Sequence, residues 1–222
     1  MSRTPVAIYG AGHLGRQVYH HVKHHCAPTA KVLGFIDDTK GAGHEVIDGQ
    51  RTLGGLADAL QDSALQPSAL QLVFAIGYTS MVQRRAALDR VLGAGYQLFT
   101  VVHPRAFIEP GAEVGAGCVV LAGAVIDQQV KVGAACFIDI NVRLTAGTQV
   151  GCNNYFSSGT AAGSRVQIGD DCFFGMDCTI TTDVKLGSHL FVNAKTLVPR
   201  DVGDNLKLVQ LHKGRELPLP RR

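Results

Sequence analysis

Residues 114–132 read VGAGCVVLAGAVIDQQVKV, and a large apolar residue returns at every sixth position of this stretch. The spacing continues in both directions from residue 102 to residue 198 and is broken only by Ala162. Its positions are Val102, Ile108, Val114, Val120, Ile126, Val132, Ile138, Leu144, Val150, Phe156, Ala162, Ile168, Phe174, Ile180, Leu186, Val192 and Val198. A six-residue period over about a hundred residues is typical of a β-helix, in which each hexad forms one face and points its apolar residue inward. Since three faces make one turn, the hexads predict between five and six turns.

The cysteines follow the same period. Cys118, Cys136, Cys172 and Cys178 are separated by 18, 36 and 6 residues, and no CxxC pair occurs. They fall in the hexad position that otherwise holds small or β-branched residues. We therefore predict that they fill the interior of the β-helix and form neither disulfides nor a zinc site.

The residues before this repeat alternate between strand and helix signals. We predict strands at 6–9, 32–36, 72–76 and 97–102. We predict one helix that begins near Leu14 and two more at 56–61 and 81–92. This alternation predicts a small Rossmann-like parallel α/β domain at 1–101. The β-helix follows without a linker at 102–201, and 202–222 forms a C-terminal tail.

A glycine-rich motif follows the first predicted strand. Gly10, Gly12 and Gly15 form GxGxxG at the start of a helix, and Asp37 lies 22 residues beyond Gly15. Such glycines bring the backbone and the amino end of a helix close to a phosphate, although a purely structural turn is an alternative reading. Because the domain is only half the size of a full dinucleotide fold, we expect it to bind a nucleotide sugar rather than NAD. The predicted substrate-binding residues are Gly10, Gly12, His13, Leu14, Gly15, Asp37 and Asp38.

The overall composition excludes several other classes of function. Hydrophobic residues make up 46% of the 222 residues and the net charge is +3, so we expect neither nucleic acid nor membrane as a partner. The first 12 residues lack the apolar core of a signal peptide, and we expect a cytoplasmic protein. His20, His21, His24 and His25 form two i, i+4 pairs without a carboxylate or cysteine beside them, and we predict no metal site.

The two halves together resemble the sialic-acid and bacillosamine type of bacterial sugar acyltransferases. The resemblance rests on Gly10 to Gly15, on Gly34 to Asp38, on Val102-His103-Pro104 and on the hexads up to Asp201. It implies a left-handed β-helix and a homotrimer in which the N-terminal domain holds a nucleotide sugar. Acetyl-CoA, as acyl donor, would lie between neighbouring β-helices.

The same resemblance shows a departure at the catalytic position. The family's basic histidine lies five residues before a hexad glycine, which places Ala146 there, and Tyr155 stands where a second histidine is expected. Transfer to an amine or hydroxyl requires a proton acceptor. One alternative is an acyltransferase with an atypical proton path through Asp139, Thr145 or Tyr155. The others are a relative with changed chemistry and a non-catalytic nucleotide-binding scaffold.

Overall fold

The computed structural model describes residues 3–26 and 28–210. Its first part is built on a parallel sheet with helices packed against it. The elements are β1 (Thr4–Tyr9), α1 (His13–His25), β2 (Ala30–Ile36), β3 (Glu45–Ile47), β4 (Gln50–Arg51), α2 (Leu56–Gln61), β5 (Gln71–Phe74) and α3 (Met81–Gly93). The strands pair in the order β2-β1-β5, while β3 and β4 form a separate antiparallel pair. The predicted alternation of strands and helices is observed except between β2 and α2, where the antiparallel pair of β3 and β4 intervenes.

The helices form where apolar side chains recur on one face. Leu14, Val18 and Val22 are buried on α1 at a spacing of four residues, which packs one side of the helix on the sheet. On α3, the Ser80 hydroxyl accepts a hydrogen bond from the Gln83 amide and caps the first turn. These helices therefore begin directly after the loops that follow β1 and β5.

The second part is a parallel β-helix with three faces. The first face holds β6 (Val101–Val102), β9 (Val119–Val120), β12 (Phe137–Ile138), β15 (Tyr155–Phe156), β18 (Phe173–Phe174), β21 (Phe191–Val192) and β23 (Lys207–Leu208). The second holds β7 (Phe107–Ile108), β10 (Val125–Ile126), β13 (Arg143–Leu144), β16 (Ala161–Ala162), β19 (Thr179–Ile180) and β22 (Leu197–Val198). The third holds β8 (Glu113–Val114), β11 (Lys131–Val132), β14 (Gln149–Val150), β17 (Gln167–Ile168) and β20 (Lys185–Leu186). Sheets of seven, six and five strands correspond to about six turns.

The corners repeat as regularly as the strands. From residue 129 to residue 195 every sixth residue has φ between 56° and 76°, and asparagine, aspartate or glycine holds most of these positions. Another corner is crowded between turns: a Cβ on Gly115 or Gly133 would lie 2.6 Å from the backbone of the next turn. The recurring glycine after the apolar residue therefore allows successive turns to stack.

The interior of the β-helix is apolar, as the hexads predict. Phe156 and Phe174 stack with ring centroids 4.8 Å apart and an interplanar angle of 4°. The thiols of Cys118 and Cys136 are buried and donate to the Gly133 and Gly151 carbonyls, and Cys172 and Cys178 are also buried and unbridged. The prediction that these cysteines are packing residues is confirmed.

The first part of the structure, with the parallel sheet and its helices, packs on the first face of the β-helix. The outward residues of that face are large and apolar yet buried, because the first part covers them: Val101, Val119, Phe137, Tyr155 and Phe173. The outward residues of the third face are polar and exposed: Glu113, Lys131, Gln149, Gln167 and Lys185. Arg85 of α3 reinforces the junction through an ion pair between its Nε and the Asp171 Oδ1, 2.8 Å apart.

The boundaries need two corrections. The predicted strand at 97–102 is divided, because Leu98 bridges to Leu72 of the parallel sheet whereas Val101 and Val102 already belong to the β-helix. The predicted end of the β-helix at residue 201 is too early, since β23 still pairs with β21. Most of the predicted tail, residues 211–222, lies outside the described residues. Within the described ranges, no helix is both long and apolar enough to cross a membrane.

Candidate functional site

A cleft of about 950 Å³ opens at the carboxyl ends of β2, β1 and β5 and reaches the first face of the β-helix. Its lining combines the glycine-rich turn, the acidic pair, the loop after β5, one side of α3 and one residue of the β-helix. These residues are Tyr9, Gly10, Gly12, His13, Leu14, Gln17, Asp37, Asp38, Thr39, Ala75, Ile76, Gly77, Tyr78, Thr79, Gln83, Ala86, Ala87, Arg90 and Tyr155. Ligands of open parallel α/β sheets bind at this edge.

The three glycines of the turn differ in what surrounds them. Gly10 has a φ of +109°, and a Cβ there would lie 2.8 Å from the Ala75 carbonyl oxygen. At Gly15 a Cβ would lie 1.9 Å from the Gly10 carbonyl oxygen, whereas at Gly12 no atom lies within 4 Å. Gly12 therefore leaves open space for a ligand at the amino end of α1. Gly15, predicted as a binding residue, does not line the cleft and instead lets α1 pack against the turn.

Asp37 is held by the glycine-rich turn. Its Oδ2 accepts a hydrogen bond of 2.7 Å from the Ala11 amide, and its Oδ1 accepts from the amide and hydroxyl of Thr39. Burial raises the pKa of Asp37, but the hydrogen bonds from Thr39 and Ala11 outweigh burial and lower it below its ordinary value. Asp37 thus presents an ionised carboxylate to the cleft.

Asp38 belongs to a second network on the same wall. Its Oδ2 accepts from the Tyr9 hydroxyl and, at 2.9 Å, from the Arg90 guanidinium, and its Oδ1 accepts from the Leu56 amide. Burial raises the pKa of Tyr9 to about 12, so the phenol stays protonated and donates to Asp38. The network fixes a carboxylate beside a cation, and both line the cleft.

Aromatic rings close the end of the cleft that meets the β-helix. Tyr78 stacks on Phe173 with centroids 4.4 Å apart and lies 4.9 Å from the ring of Tyr155, which in turn stacks on Phe137. Tyr78 is 44% exposed although its neighbours on the β-helix are buried. One face of its ring is thus held by packing while the rest of it remains accessible.

A buried arginine lies behind this end of the cleft. Arg84 is 1% exposed, and its guanidinium donates to the carbonyls of Ile76 and Ala135. It also lies over the rings of Phe74 and Tyr155. Burial lowers the pKa of Arg84 to about 10, so it is still a cation at neutral pH. Arg84 therefore joins α3 to the β-helix and adds positive charge beneath the cleft.

The predicted catalytic residues lie on different parts of the β-helix. Tyr155 lies on the first face, and Asp139 follows that face one turn earlier, with its Oδ2 accepting from the Ser158 hydroxyl at 2.8 Å. Thr145 lies at the next corner and donates to the Ala162 carbonyl. One chain therefore brings Asp139 near Tyr155 but leaves Thr145 at a separate corner.

The corner of Ala146 carries its own carboxylate. The Ala146 amide donates to the Asp127 Oδ2 at 3.1 Å, and the Gln128 amide donates to the Asp127 Oδ1. Asp127 could not be found from the sequence, because it lies 19 residues before Ala146 and comes close to it only after the chain has completed a turn of the β-helix.

Histidines gather at the other end of α1. Ligand nitrogens of His21, His25 and His103 lie within 4.8 Å of one another. The Arg105 amide, however, donates to the His103 Nδ1 at 3.0 Å, so neutral His103 carries its proton on Nε2. A ligating histidine instead donates from its second nitrogen. Because the free nitrogen of His103 is protonated, we assign no metal to this cluster.

Comparison with known proteins identifies the architecture. A family model, the hexapeptide repeat of succinyl-transferase, matches residues 105–128 and 165–192. No curated protein sequence matches the chain. The acetyltransferase domain of PglB from Neisseria gonorrhoeae is similar in structure, with 20% identity, a TM-score of 0.81, and coverage of 92% of this chain and 96% of that one. It has also been solved in complex with acetyl coenzyme A.

Two further structures resemble the chain over nearly its full length. A variant of GDP-perosamine N-acetyl transferase from Caulobacter crescentus, in complex with CoA and GDP-perosamine, is 22% identical, covers 93% of each chain and has a TM-score of 0.81. WeeI from Acinetobacter baumannii is 19% identical and also has a TM-score of 0.81, with coverage of 94% of this chain and 97% of that one. At these identities the likeness establishes a common fold.

Proposed function

We propose that this chain transfers an acyl group, with acetyl-CoA as the donor, to an amino or hydroxyl group of a nucleotide-linked sugar. The observation that carries this proposal is the cleft that joins the glycine-rich turn to the β-helix. The similar structures with acetyl coenzyme A, and with CoA and GDP-perosamine, support it. In this proposal the α/β domain is a Rossmann-like nucleotide-sugar-binding domain, and the hexads form a left-handed β-helix that takes the acyl donor.

Binding of the acceptor follows from the cleft. A diphosphate fits the open space over Gly12, where the amides and dipole at the amino end of α1 favour negative charge. Asp37 can accept hydrogen bonds from hydroxyl groups or base N–H groups of the ligand, and the guanidinium of Arg90 places a positive charge on the same wall of the cleft. Together these groups recognise a nucleoside diphosphate and leave the attached sugar to extend along the cleft.

The proton acceptor differs from an imidazole. Burial and the nearby charge of Asp139 raise the pKa of Tyr155, so its phenol can donate a hydrogen bond but does not take up a proton at neutral pH. We propose a carboxylate, either Asp139 or the Asp127 beside Ala146, as the general base. Backbone amides of the corners would stabilise the oxyanion, and the cleft would hold the acceptor in place.

The assembly that we propose is a closed homotrimer, in which the groove for acetyl-CoA lies between neighbouring β-helices. Multi-angle light scattering should give about three times the chain mass of 23.6 kDa. A monomer at working concentrations would contradict this arrangement, because a groove between subunits would then be absent.

The experiment that tests the activity mixes the purified chain with acetyl-CoA and a panel of UDP-, dTDP- and GDP-linked amino sugars and their hydroxyl counterparts. Release of the free CoA thiol gives the rate, and mass spectrometry of the sugar shows whether it carries an added acetyl group. Asp139→Asn and Asp127→Asn identify the base, because loss of general-base catalysis slows transfer roughly a hundred- to ten-thousandfold.

Restoring an imidazole separates the remaining alternatives. Ala146→His should raise the rate if the chain is a weakened member of the acyltransferases, and should leave it unchanged if a carboxylate has fully replaced the histidine. Binding of nucleotide sugar without binding of CoA would favour the scaffold or a changed chemistry and would contradict the acyltransferase proposal.

A further inference from the structure

The strand order arranges three loops side by side along the cleft. The sheet runs β2-β1-β5, and all three strands are parallel. Asp37 and Asp38 follow β2, Gly10 to Gly12 follow β1, and Ala75 to Thr79 follow β5. Because each of these loops lines the cleft, the phosphate-binding turn lies between the acidic pair and the loop of Tyr78.

This order sets the direction of a bound nucleotide sugar. The diphosphate is the middle of such a molecule, so its nucleoside and its sugar must leave the central turn toward opposite sides. The β5 side is where the cleft meets Tyr155 and therefore the β-helix. On the proposed function, the reacting sugar faces the β-helix, which leaves the acidic pair on the β2 side to the nucleoside.

Tyr78 has the properties of a stacking platform on the sugar side. Phe173 supports its ring at 4.4 Å and 19°, and Tyr155 contacts it at 4.9 Å. The ring still exposes 44% of the residue and borders the cleft. A ring that is already ordered loses little side-chain entropy when a ligand packs on it. Its flat apolar face fits the C–H face of a pyranose, and its hydroxyl remains at the edge for hydrogen bonding.

We propose that Tyr78 is the residue on which the glycosyl ring stacks, and that it determines affinity for the sugar rather than for the nucleoside diphosphate. This inference rests on the proposed function, because it assigns the sugar to the side of the cleft that meets the β-helix. It names a recognition residue that has no part in the phosphate turn or in the proton path.

The test compares matched ligands in calorimetric titrations of the full chain: UDP with UDP-glucose, dTDP with dTDP-glucose, and GDP with GDP-mannose. Tyr78→Ala should weaken binding of the sugar conjugate about three- to tenfold, the fold-change that corresponds to an aromatic stacking contact, and should leave the parent diphosphate within twofold of wild type. Tyr78→Phe, which retains the ring, should bind the conjugate within about twofold of wild type. Val82→Ala, a change on the exposed surface of α3 outside the cleft, serves as the matched control.

Several outcomes would overturn the inference. Equal weakening of conjugate and diphosphate by Tyr78→Ala would place the ring against the nucleoside, and unchanged binding of both would remove it from the site. If Tyr78→Ala unfolds at a lower temperature, saturation-transfer NMR of the wild type decides instead: saturation should be strongest on the glycosyl protons, and saturation strongest on the base and ribose would refute the assignment. Failure of the wild type to bind any of the six ligands would contradict the proposed function itself, which separates that failure from a failure of the Tyr78 assignment.

Discussion

A side chain at Gly12 should weaken ligand binding, whereas a side chain at Gly15 should destabilise the fold, although both glycines belong to one turn. In Gly15→Ala the new carbon would lie 1.9 Å from the Gly10 carbonyl oxygen, so α1 must withdraw by more than an ångström from the turn. Overpacking of this severity costs about 3 kcal/mol of folding free energy, at the upper end of such substitutions. A Cβ on Gly12 would meet no atom within 4 Å and φ has an ordinary value of −81°, so we expect Gly12→Leu to lose about 1 kcal/mol or less, as for an unfavourable helix N-cap.

Thermal unfolding followed by circular dichroism, together with calorimetric titration of UDP, dTDP and GDP sugars, separates the two effects. Gly15→Ala should lower Tm by roughly 6–12 °C, since about 2–4 °C corresponds to each kcal/mol in a chain of this size. Gly12→Leu should keep nearly the wild-type Tm yet lose at least tenfold in affinity, because its side chain fills the space for the phosphate. Wild-type affinity in Gly12→Leu, or an unchanged Tm in Gly15→Ala, would refute the assignment of these roles.

Two further predictions concern the junction between the β-helix and the part of the chain that precedes it. Burial lowers the pKa of His21 and His103, so the unfolded chain binds protons more readily than the folded one. The stability that these histidines contribute should therefore be complete above about pH 6.5 and fall as the pH decreases below it. A Tm that is flat from pH 8 to pH 5 would contradict this. Asp171→Asn should cost about 1–3 kcal/mol in denaturant unfolding, because the carboxylate is nearly buried and binds both Arg85 and Asn153; Asp170→Asn on the exposed neighbour is the control, and an equal loss in both variants would argue against a specific role of the ion pair.

The β-helix could be predicted from the sequence because its signal is local and repeated. Each hexad places its own apolar residue inward, so the period of six is visible without knowledge of the rest of the fold. The end of the repeat was harder to locate, since Val198 and Leu208 are ten residues apart and the period is lost between them although the pairing continues. Strand pairing tolerates a corner that is two residues shorter, since Val202 and Leu208 pair 16 rather than 18 residues after Leu186 and Val192, whereas a count in sixes does not.

The packing of the first part of the chain on the β-helix depends on a second period, which becomes visible only when three hexads are seen as one turn. The residues before every third inward position are Val101, Val119, Phe137, Tyr155 and Phe173, all apolar or aromatic, and this series marks the first face as the one that is covered. The full lining of the cleft cannot be predicted from residue spacing, because Tyr78 lies in a loop and Arg90 on a helix whose packing no spacing rule describes. The turn, the acidic pair and Tyr155 can therefore be found from the sequence, whereas Tyr78 and Arg90 cannot.

Tyr155 both packs against its neighbours on the β-helix and lies at a candidate catalytic position of the proposed acyl transfer. Where the resembled acyltransferases are expected to carry a second histidine, this chain has a tyrosine that stacks on Phe137, borders the cleft and lies near the buried cation of Arg84. An imidazole there would lose most of these ring contacts, and with Arg84 beside it its protonated form would be disfavoured. A tyrosine at this position therefore stabilises the contact between the two parts of the chain, and on the proposed function the proton acceptor is a carboxylate at a corner of the β-helix. If that reasoning is correct, Tyr155→His should destabilise the junction and should not by itself increase the rate of acyl transfer; an increased rate with unchanged Tm would show that the position still serves catalysis.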